Sequence, residues 1–238
     1  MEIASLYSLA PRILEPLFPH CLWKGGTDAL MVALSFDDGP HPKYTPQLLI
    51  ELERYQIPAS FFWLGVCVEQ APEIARAIYH QGHWIGLHGY THRSFPRLSA
   101  AELNQSLEKT QVAIVRACQL PLSEVKQRIR DVRPPNGLFT PQILNQLLQE
   151  HYRPVMWTIA PEDWVRPGVS VVVKRVMRQV HKGSLIVLHD GVYGGEDIAE
   201  IVAWLAPQLL AQGYQFVTID DLWRQHIFNR TQRESLVG

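Results

Sequence analysis

Met31-Val32-Ala33-Leu34-Ser35-Phe36-Asp37-Asp38-Gly39-Pro40-His41 decides the reading of the chain. A short run of apolar and small residues leads into Phe36 and two adjacent carboxylates, and a Gly-Pro pair closes it. The run is bounded and apolar, which predicts a buried strand over Met31–Phe36 rather than a helix. Where a strand ends its backbone begins to turn, so Asp37 and Asp38 can both face one site and do different work there. Carboxylates this close repel when both are ionised, and a cation beside one of them relieves the repulsion. Asp-Gly and Gly-Pro are also ordinary turn dipeptides, so the pair alone leaves a solvated turn open.

Working outward, apolar runs alternate with helical stretches. A helix is predicted at 44–56, with Leu48, Leu49 and Leu52 on one side, then a strand at Ala59–Leu64, a helix at Pro72–His80 and a strand at His83–Leu87. Ser99-Ala100-Ala101-Glu102 fits a capping box and opens a helix to Cys118, which the polar segment 119–130 ends. Asp131–Arg133 reads as a short strand, and Thr140-Pro141 starts the next helix. Strands at Arg153–Ile159, Ser184–Leu188 and Tyr214–Ile219 follow, with helices at Val169–Val180, Ile198–Gln212 and Asp221–Ile227. Strands each followed by a helix predict a parallel α/β sheet covered on both faces. No Gly-rich phosphate loop follows any strand, which favours a closed or nearly closed barrel over a doubly wound sheet. Residues 1–30 read as an N-terminal extension on the barrel, with 31–238 as one domain. In the extension Leu6, Leu9, Ile13, Leu14 and Leu17 line a helix broken by Pro11 and Pro16 and packed beneath the barrel.

Composition bounds the function. The 238 residues are 47% hydrophobic and 19% charged, as in an ordinary globular chain with a sizeable core. A net charge of −1 and the lack of a basic run offer nothing to nucleic acid or an anionic membrane. No apolar stretch reaches the roughly 20 residues of a membrane span. Cys21, Cys67 and Cys118 are odd in number and widely spaced, forming neither a disulfide framework nor a zinc cluster, and buried thiols fit a reducing compartment. Glu2, the prolines and the missing basic cluster make a poor signal peptide, so a soluble, cytoplasmic protein is expected. Nothing in the sequence speaks to oligomeric state.

The polar residues that stand out fall at predicted strand ends, where a β/α barrel builds its active site. They are Asp37-Asp38, His88-Gly89-Tyr90-Thr91-His92, Arg133-Pro134-Pro135-Asn136-Gly137, Glu162-Asp163-Trp164 and His189-Asp190-Gly191. His88 and His92, four apart, share a side if their segment turns helically, and with one carboxylate they make three protein ligands and an open position. Taken singly, each is also an ordinary core or surface histidine. Arg133 is suited to hold a carboxylate ionised, and His189, at the mouth of an apolar strand, to act as a general acid beside Asp163. His41 and His83 lie near the rim as loop and strand-start residues. Trp63, Trp84, Trp157 and Tyr193 offer flat faces on which a ligand ring can stack, although the first three sit within strands, where a core role is commoner. Asn104-Gln105-Ser106 and Asn229-Arg230-Thr231 match the glycosylation pattern, which matters only in a secreted eukaryotic protein.

These motifs, in order over residues 31–220, resemble the polysaccharide deacetylase family of carbohydrate esterases, the NodB-homology domain. Ser35–Gly39 is similar to its T/S-F-D-D-G signature, and His88–His92 to H-[S/T]-x-x-H except at the second place. Arg133–Gly137 resembles R-P-P-x-G, Asp163-Trp164 its D-W, and Val187-Leu188-His189 its L-x-H with Val for Leu. The resemblance implies a distorted (β/α)7 barrel and metal-dependent removal of acetyl groups from N-acetylated sugars. Carried over by position, it implies Asp37 as general base, Asp38, His88 and His92 as metal ligands, and Arg133 holding Asp37. It also implies His189 as general acid oriented by Asp163, a pocket walled by Trp164, Val187 and Leu188, and a backbone donor at Asn136. One carboxylate with two imidazoles suits Zn²⁺ best and also accepts Co²⁺ or Mn²⁺. Three positions depart from the pattern. Gly89 lacks the usual hydroxyl that would brace the histidine loop, Ala160 replaces a frequent acid, and Asn136 replaces a frequent aromatic. The rival readings are hydrolysis of a non-sugar amide or an O-acetyl ester on the same barrel, and a metal-containing module that binds glycan without turnover.

Overall fold

In the computed structural model, which describes residues 6–26 and 29–226, the decisive stretch is the central strand β1, Met31–Asp37. The strands that follow are β2 (Ser60–Trp63), β3 (Trp84–Leu87), β4 (Asp131–Val132), β5 (Arg153–Pro154), β6 (Ser184–His189) and β7 (Gln215–Phe216). Their order is β5-β4-β3-β2-β1-β6, all parallel, with β7 pairing only the first residues of β1. The chain beyond β5 returns to β6 through a parallel bridge between Ile159 and Ile186, which curls the sheet into a distorted barrel. That segment was expected to be a strand over Arg153–Ile159. Only its first two residues pair regularly; Val155 N–H still donates to the Val132 carbonyl, and Val155 also bridges to Leu22 of the N-terminal extension.

The helices are α1 (Leu6–Leu17), α2 (Thr45–Arg54), α3 (Gly65–Gln70), α4 (Pro72–His80), α5 (Ala100–Cys118), α6 (Leu122–Arg128), α7 (Pro141–Gln149), α8 (Val169–Gln179) and α9 (Ile198–Ala211). Residues 219–226 are also helical. Helix α5 starts as its sequence dictates: Ser99 Oγ accepts from Glu102 N–H, and the Glu102 carboxylate accepts from Ser99 N–H. Two short helices, α3 and α6, were not anticipated, since six or seven residues are too few to show a helical period. Among the described residues no helix is long and apolar enough to cross a membrane. The second glycosylation match, Asn229-Arg230-Thr231, lies outside the described residues.

Burial divides the apolar residues into two clusters. The larger holds the outward side of the strands and the helices against it, Phe36 and Leu188 among them. The smaller fills the barrel interior with Ala33, Phe62, Trp157 and Val187. At the end away from the strand tips, buried Asp131 accepts from Arg153 at 2.7 Å, Trp84 at 2.6 Å and Trp223 at 2.9 Å. His83 belongs to this end rather than to the rim. Its Nδ1 accepts from Ala59 N–H, and burial lowers its pKa to about 4.

Helix α1 runs unbroken through Pro11 and Pro16, and it sits beside the active-site rim rather than beneath the barrel. A proline within a helix has no N–H for the carbonyl four residues earlier, which for Pro11 is that of Tyr7. The indole Nε1 of Trp157, from the barrel interior, donates to this carbonyl at 3.5 Å.

Candidate active site

β1 and β6 run in register, pairing Asp37 with His189 and Ser35 with Val187. Alternation along the strands therefore sends Ser35, Asp37, Val187 and His189 to the interior, and Phe36 and Leu188 outward. Asp38 has φ 73°, a left-handed conformation that is uncommon outside glycine but tolerated by Asp. This turn keeps Asp38 on the same side as Asp37. Nε2 of His88 lies 3.9 Å from Asp37 Oδ2 and 3.5 Å from Asp38 Oδ1.

Arg133, just past β4, is fully buried. It donates to Asp37 Oδ1 at 2.6 Å, Ser35 Oγ at 2.9 Å and the Met156 carbonyl at 2.9 Å, and it lies over the Phe62 ring at 4.0 Å. Burial lowers Arg133 from its ordinary value against the pull of Asp37. A guanidinium starts so high that it stays charged and sets a fixed positive charge against Asp37.

His88 has its Nδ1 2.7 Å from the Arg133 carbonyl. A carbonyl only accepts, so Nδ1 carries the proton and Nε2 turns its lone pair to the cavity. Burial, the largest influence, lowers the His88 pKa and favours the neutral ring, although both aspartates act the other way. His92 reaches the site by a bent loop, not by the helical turn its spacing predicts. Gly89, at φ 89°, makes the bend. The brace that Gly89 lacks comes from α5, where Ser106 Oγ accepts from Tyr90 N–H at 2.8 Å. Gly65 and Val66 at the start of α3 donate to the carbonyls of Gly89 and Tyr90.

His92 Nε2 lies 3.4 Å from Asp38 Oδ1, and the ligand atoms of Asp38, His88 and His92 all fall within 4.8 Å of one another. Asp38 Oδ1 is buried and accepts no hydrogen bond, although both imidazoles stand close. An orphaned carboxylate oxygen facing two imidazole nitrogens fits a divalent cation, and three protein ligands leave coordination open for water or substrate.

On the other side, Asp163 accepts from the backbone N–H of His189 at 2.7 Å through Oδ2, and its Oδ1 is 3.0 Å from His189 Nδ1. Burial opposes the imidazolium, but Asp163 by charge and hydrogen bond, with Asp38 and Asp37 by charge, outweighs it and raises the His189 pKa to about 9. His189 thus holds a proton at neutral pH. Asp190 was quoted in the motif without a role. It is fully buried, accepts from Thr45 Oγ1 at 2.5 Å, and is raised to about 7 by burial and by Asp38 and Asp37. The same Thr45 hydroxyl accepts from His41 N–H at 2.8 Å, so Asp190 ties down the loop that carries Asp38.

These groups open on one cavity of about 130 Å³. Asp37, Asp38, His88, His92 and His189 line its polar part, and Asn136, Trp164 and Val187 line it as expected. Leu188 does not, because it takes the outward turn of the strand into the larger core. Asn136 has φ 58° within the turn Pro135–Gly137, and a Cβ on Gly137 (φ 64°) would run into Trp157. Arg133 and Asp163 stand behind the wall and act through Asp37 and His189. Trp157, read chiefly as strand core, and Ala160, noted only as a departure from the family pattern, line the cavity as well. Tyr7 was not foreseen there, because it lies in the extension, in another part of the sequence.

Comparison with known proteins agrees with this geometry. The family model described as "Polysaccharide deacetylase" matches residues 24–155. The peptidoglycan-N-acetylglucosamine deacetylase of Bacillus cereus is 35% identical over 221 residues, covering 91% of this chain and 98% of that protein. The chitooligosaccharide deacetylase of Sinorhizobium fredii is 35% identical over 168 residues, 71% of this chain and 75% of that one. A crystal structure of a peptidoglycan N-acetylglucosamine deacetylase with 4-naphthalen-1-yl-N-oxidanyl-benzamide superposes with a TM-score of 0.79 at 26% identity, over 85% of this chain and 92% of that chain. The chain belongs to the polysaccharide deacetylase family, the NodB-homology carbohydrate esterases, and is a hydrolase of that family.

Proposed function

We propose that the protein removes acetyl groups from an N-acetylglucosamine-containing glycan or oligosaccharide, with Asp37 as general base and His189 as general acid. Deacetylases of this family are metal-dependent, and Asp38, His88 and His92 are the residues of this chain that would hold the ion. One carboxylate and two imidazoles favour Zn²⁺, with Co²⁺ or Mn²⁺ as substitutes. When bound, the ion supplies Lewis acidity that polarises an amide carbonyl and acidifies water.

The remaining chemistry falls to the chain's own groups. Asp37, held in place by Arg133, takes a proton from the attacking water. Water oxygen adds to the carbonyl carbon, and a backbone N–H at Asn136 serves the oxyanion. The C–N bond then breaks as His189 gives its proton to the nitrogen, because an unprotonated amide nitrogen is a very poor leaving group. Acetate and a free amine result.

The observation that carries this reading is the pairing of Asp37 with His189 across two adjacent strands, each backed by a buried partner of opposite charge, on one cavity with the Asp38–His88–His92 set. A module that only binds glycan has no use for a poised base and a poised acid. The free thiols of Cys21, Cys67 and Cys118 support the cytoplasmic assignment, which joins the proposal.

Mass spectrometry of chitin oligomers incubated with the zinc-loaded protein tests it. Conversion of acetamido groups to free amines supports the reading. Turnover confined to O-acetyl esters or to non-sugar amides moves the assignment to those substrates, and binding without any conversion returns the non-catalytic module.

A further inference from the structure

The apolar part of the cavity has a wall from outside the barrel. Trp157, Ala160 and Val187 belong to the buried interior cluster, and Tyr7 and Trp164 pack against it, as do Leu14 and Phe18 of the same N-terminal segment. The Tyr7 ring meets Trp164 edge to face at 5.1 Å, and Trp164 meets His189 in the same manner at 5.1 Å. The backbone of Tyr7 is anchored as well, through the carbonyl that Pro11 cannot bond and Trp157 Nε1 reaches. An ion pair between Glu15 and Lys24 at 2.9 Å ties the far end of α1 to the chain entering the barrel. The matched family region begins at residue 24, so the helix that carries Tyr7 lies outside it.

We infer that Tyr7 is a specificity-determining residue that closes the apolar end of the acyl pocket and limits the leaving acyl group to about the size of acetyl. The polar groups at the other end fix the reacting carbonyl, so the acyl chain has to extend toward the apolar residues. The Tyr7 ring lines this cavity of about 130 Å³ together with Trp157, Trp164 and Val187, so it stands where methylenes beyond a methyl would extend. Each methylene accepted or refused by a hydrophobic pocket is worth about 10-fold or more in kcat/KM. The inference rests on the amide-hydrolysis reading above, and one arm of its test needs no turnover.

Tyr7→Ala, Tyr7→Leu and Tyr7→Phe are compared with the wild-type full chain, all zinc-loaded. The first arm measures kcat/KM for glucosamine oligomers carrying N-acetyl, N-propionyl and N-butyryl groups. The second measures binding of acetohydroxamate, butyrohydroxamate and hexanohydroxamate by calorimetry. In Tyr7→Ala the butyryl-to-acetyl ratio of kcat/KM is expected to rise about 10-fold or more, with Tyr7→Leu between and Tyr7→Phe retaining the wild-type preference. Affinity for the longer hydroxamates, relative to acetohydroxamate, is expected to rise in the same order. Should Tyr7→Ala fail to fold, Tyr7→Leu, which keeps an apolar side chain on Trp164, carries the comparison. A wild type that turns over no N-acyl sugar, but whose hydroxamate preference shifts in the variants, sinks the deacetylase reading and leaves the acyl wall standing. Turnover with a length preference unmoved by either small variant, or an equal loss for every acyl length, overturns the acyl wall and leaves the deacetylase reading intact.

Discussion

At the residue scale the site divides labour between groups that touch a substrate and groups that set their charge. Asp37→Asn keeps the shape and removes the proposed base. Turnover of acetylated oligomers should fall by about 10³-fold, and zinc binding should change little, because Asp37 is not among the convergent ligand atoms. Steady-state kinetics with a competition titration for zinc checks both halves. Asp163 is the chief support of the His189 charge. In the metal-free protein the His189 ring should titrate near 9, and in Asp163→Asn it should titrate well below that, since burial then acts with less opposition. The folded pKa lies above the unfolded value, so this contribution to stability is full below pH 6.5 and is lost as the pH rises through about 9. NMR titration of the imidazole protons measures the shift. At this scale the sequence was most legible. Asp37, Asp38, His88, His92, Arg133, Asp163 and His189 all converge, because each stands at a strand end or in the loop just past one, and short motifs place their own side chains. Leu188 was misplaced for a simple reason: neighbours on a strand face opposite ways, and a motif spelled along the strand names both.

At the element scale, loops bring the histidines together. Ser106 on α5 stands in for the hydroxyl that Gly89 lacks. Loss of one such hydrogen bond costs about 1 kcal/mol. Ser106→Ala should therefore loosen the His88–His92 loop and weaken zinc binding about 5-fold at little cost to folding, as the same competition titration would show. This brace was invisible in the sequence, because a serine 14 residues past the motif carries no mark of what it faces. The unbroken course of α1 was missed too. Two prolines predict a break, but tertiary partners at Trp157 and Lys24 hold the helix in place. Helices α3 and α6 left no periodic trace, yet α3 carries the N–H groups that seat the loop.

Across the whole molecule, the alternation of strands and helices was enough to give a parallel barrel with its chemistry at the C-terminal ends of the strands. Length and pairing of the late strands were not legible. Arg153–Pro154 and Gln215–Phe216 are two-residue strands whose neighbours are held by side-chain and single-bridge contacts. Part of that work falls to Asp131, which gathers Arg153, Trp84 and Trp223 at the closed end. Asp131→Ala leaves the Trp84 and Trp223 indole N–H groups without their acceptor, while Arg153 keeps Asp220, so it should cost about 1–3 kcal/mol in chemical denaturation. The active-site ligands are at the other end of the barrel, and their zinc affinity should survive in whatever fraction stays folded.

The measurement that bears most directly on the account is acetate release from N-acetylglucosamine oligomers by the purified protein, before chelation, after it, and after zinc is restored, with Asp37→Asn alongside. The account predicts release that stops with chelation, returns with zinc, and falls about 10³-fold in Asp37→Asn. Release that ignores the chelator, or that persists undiminished in Asp37→Asn, would contradict it.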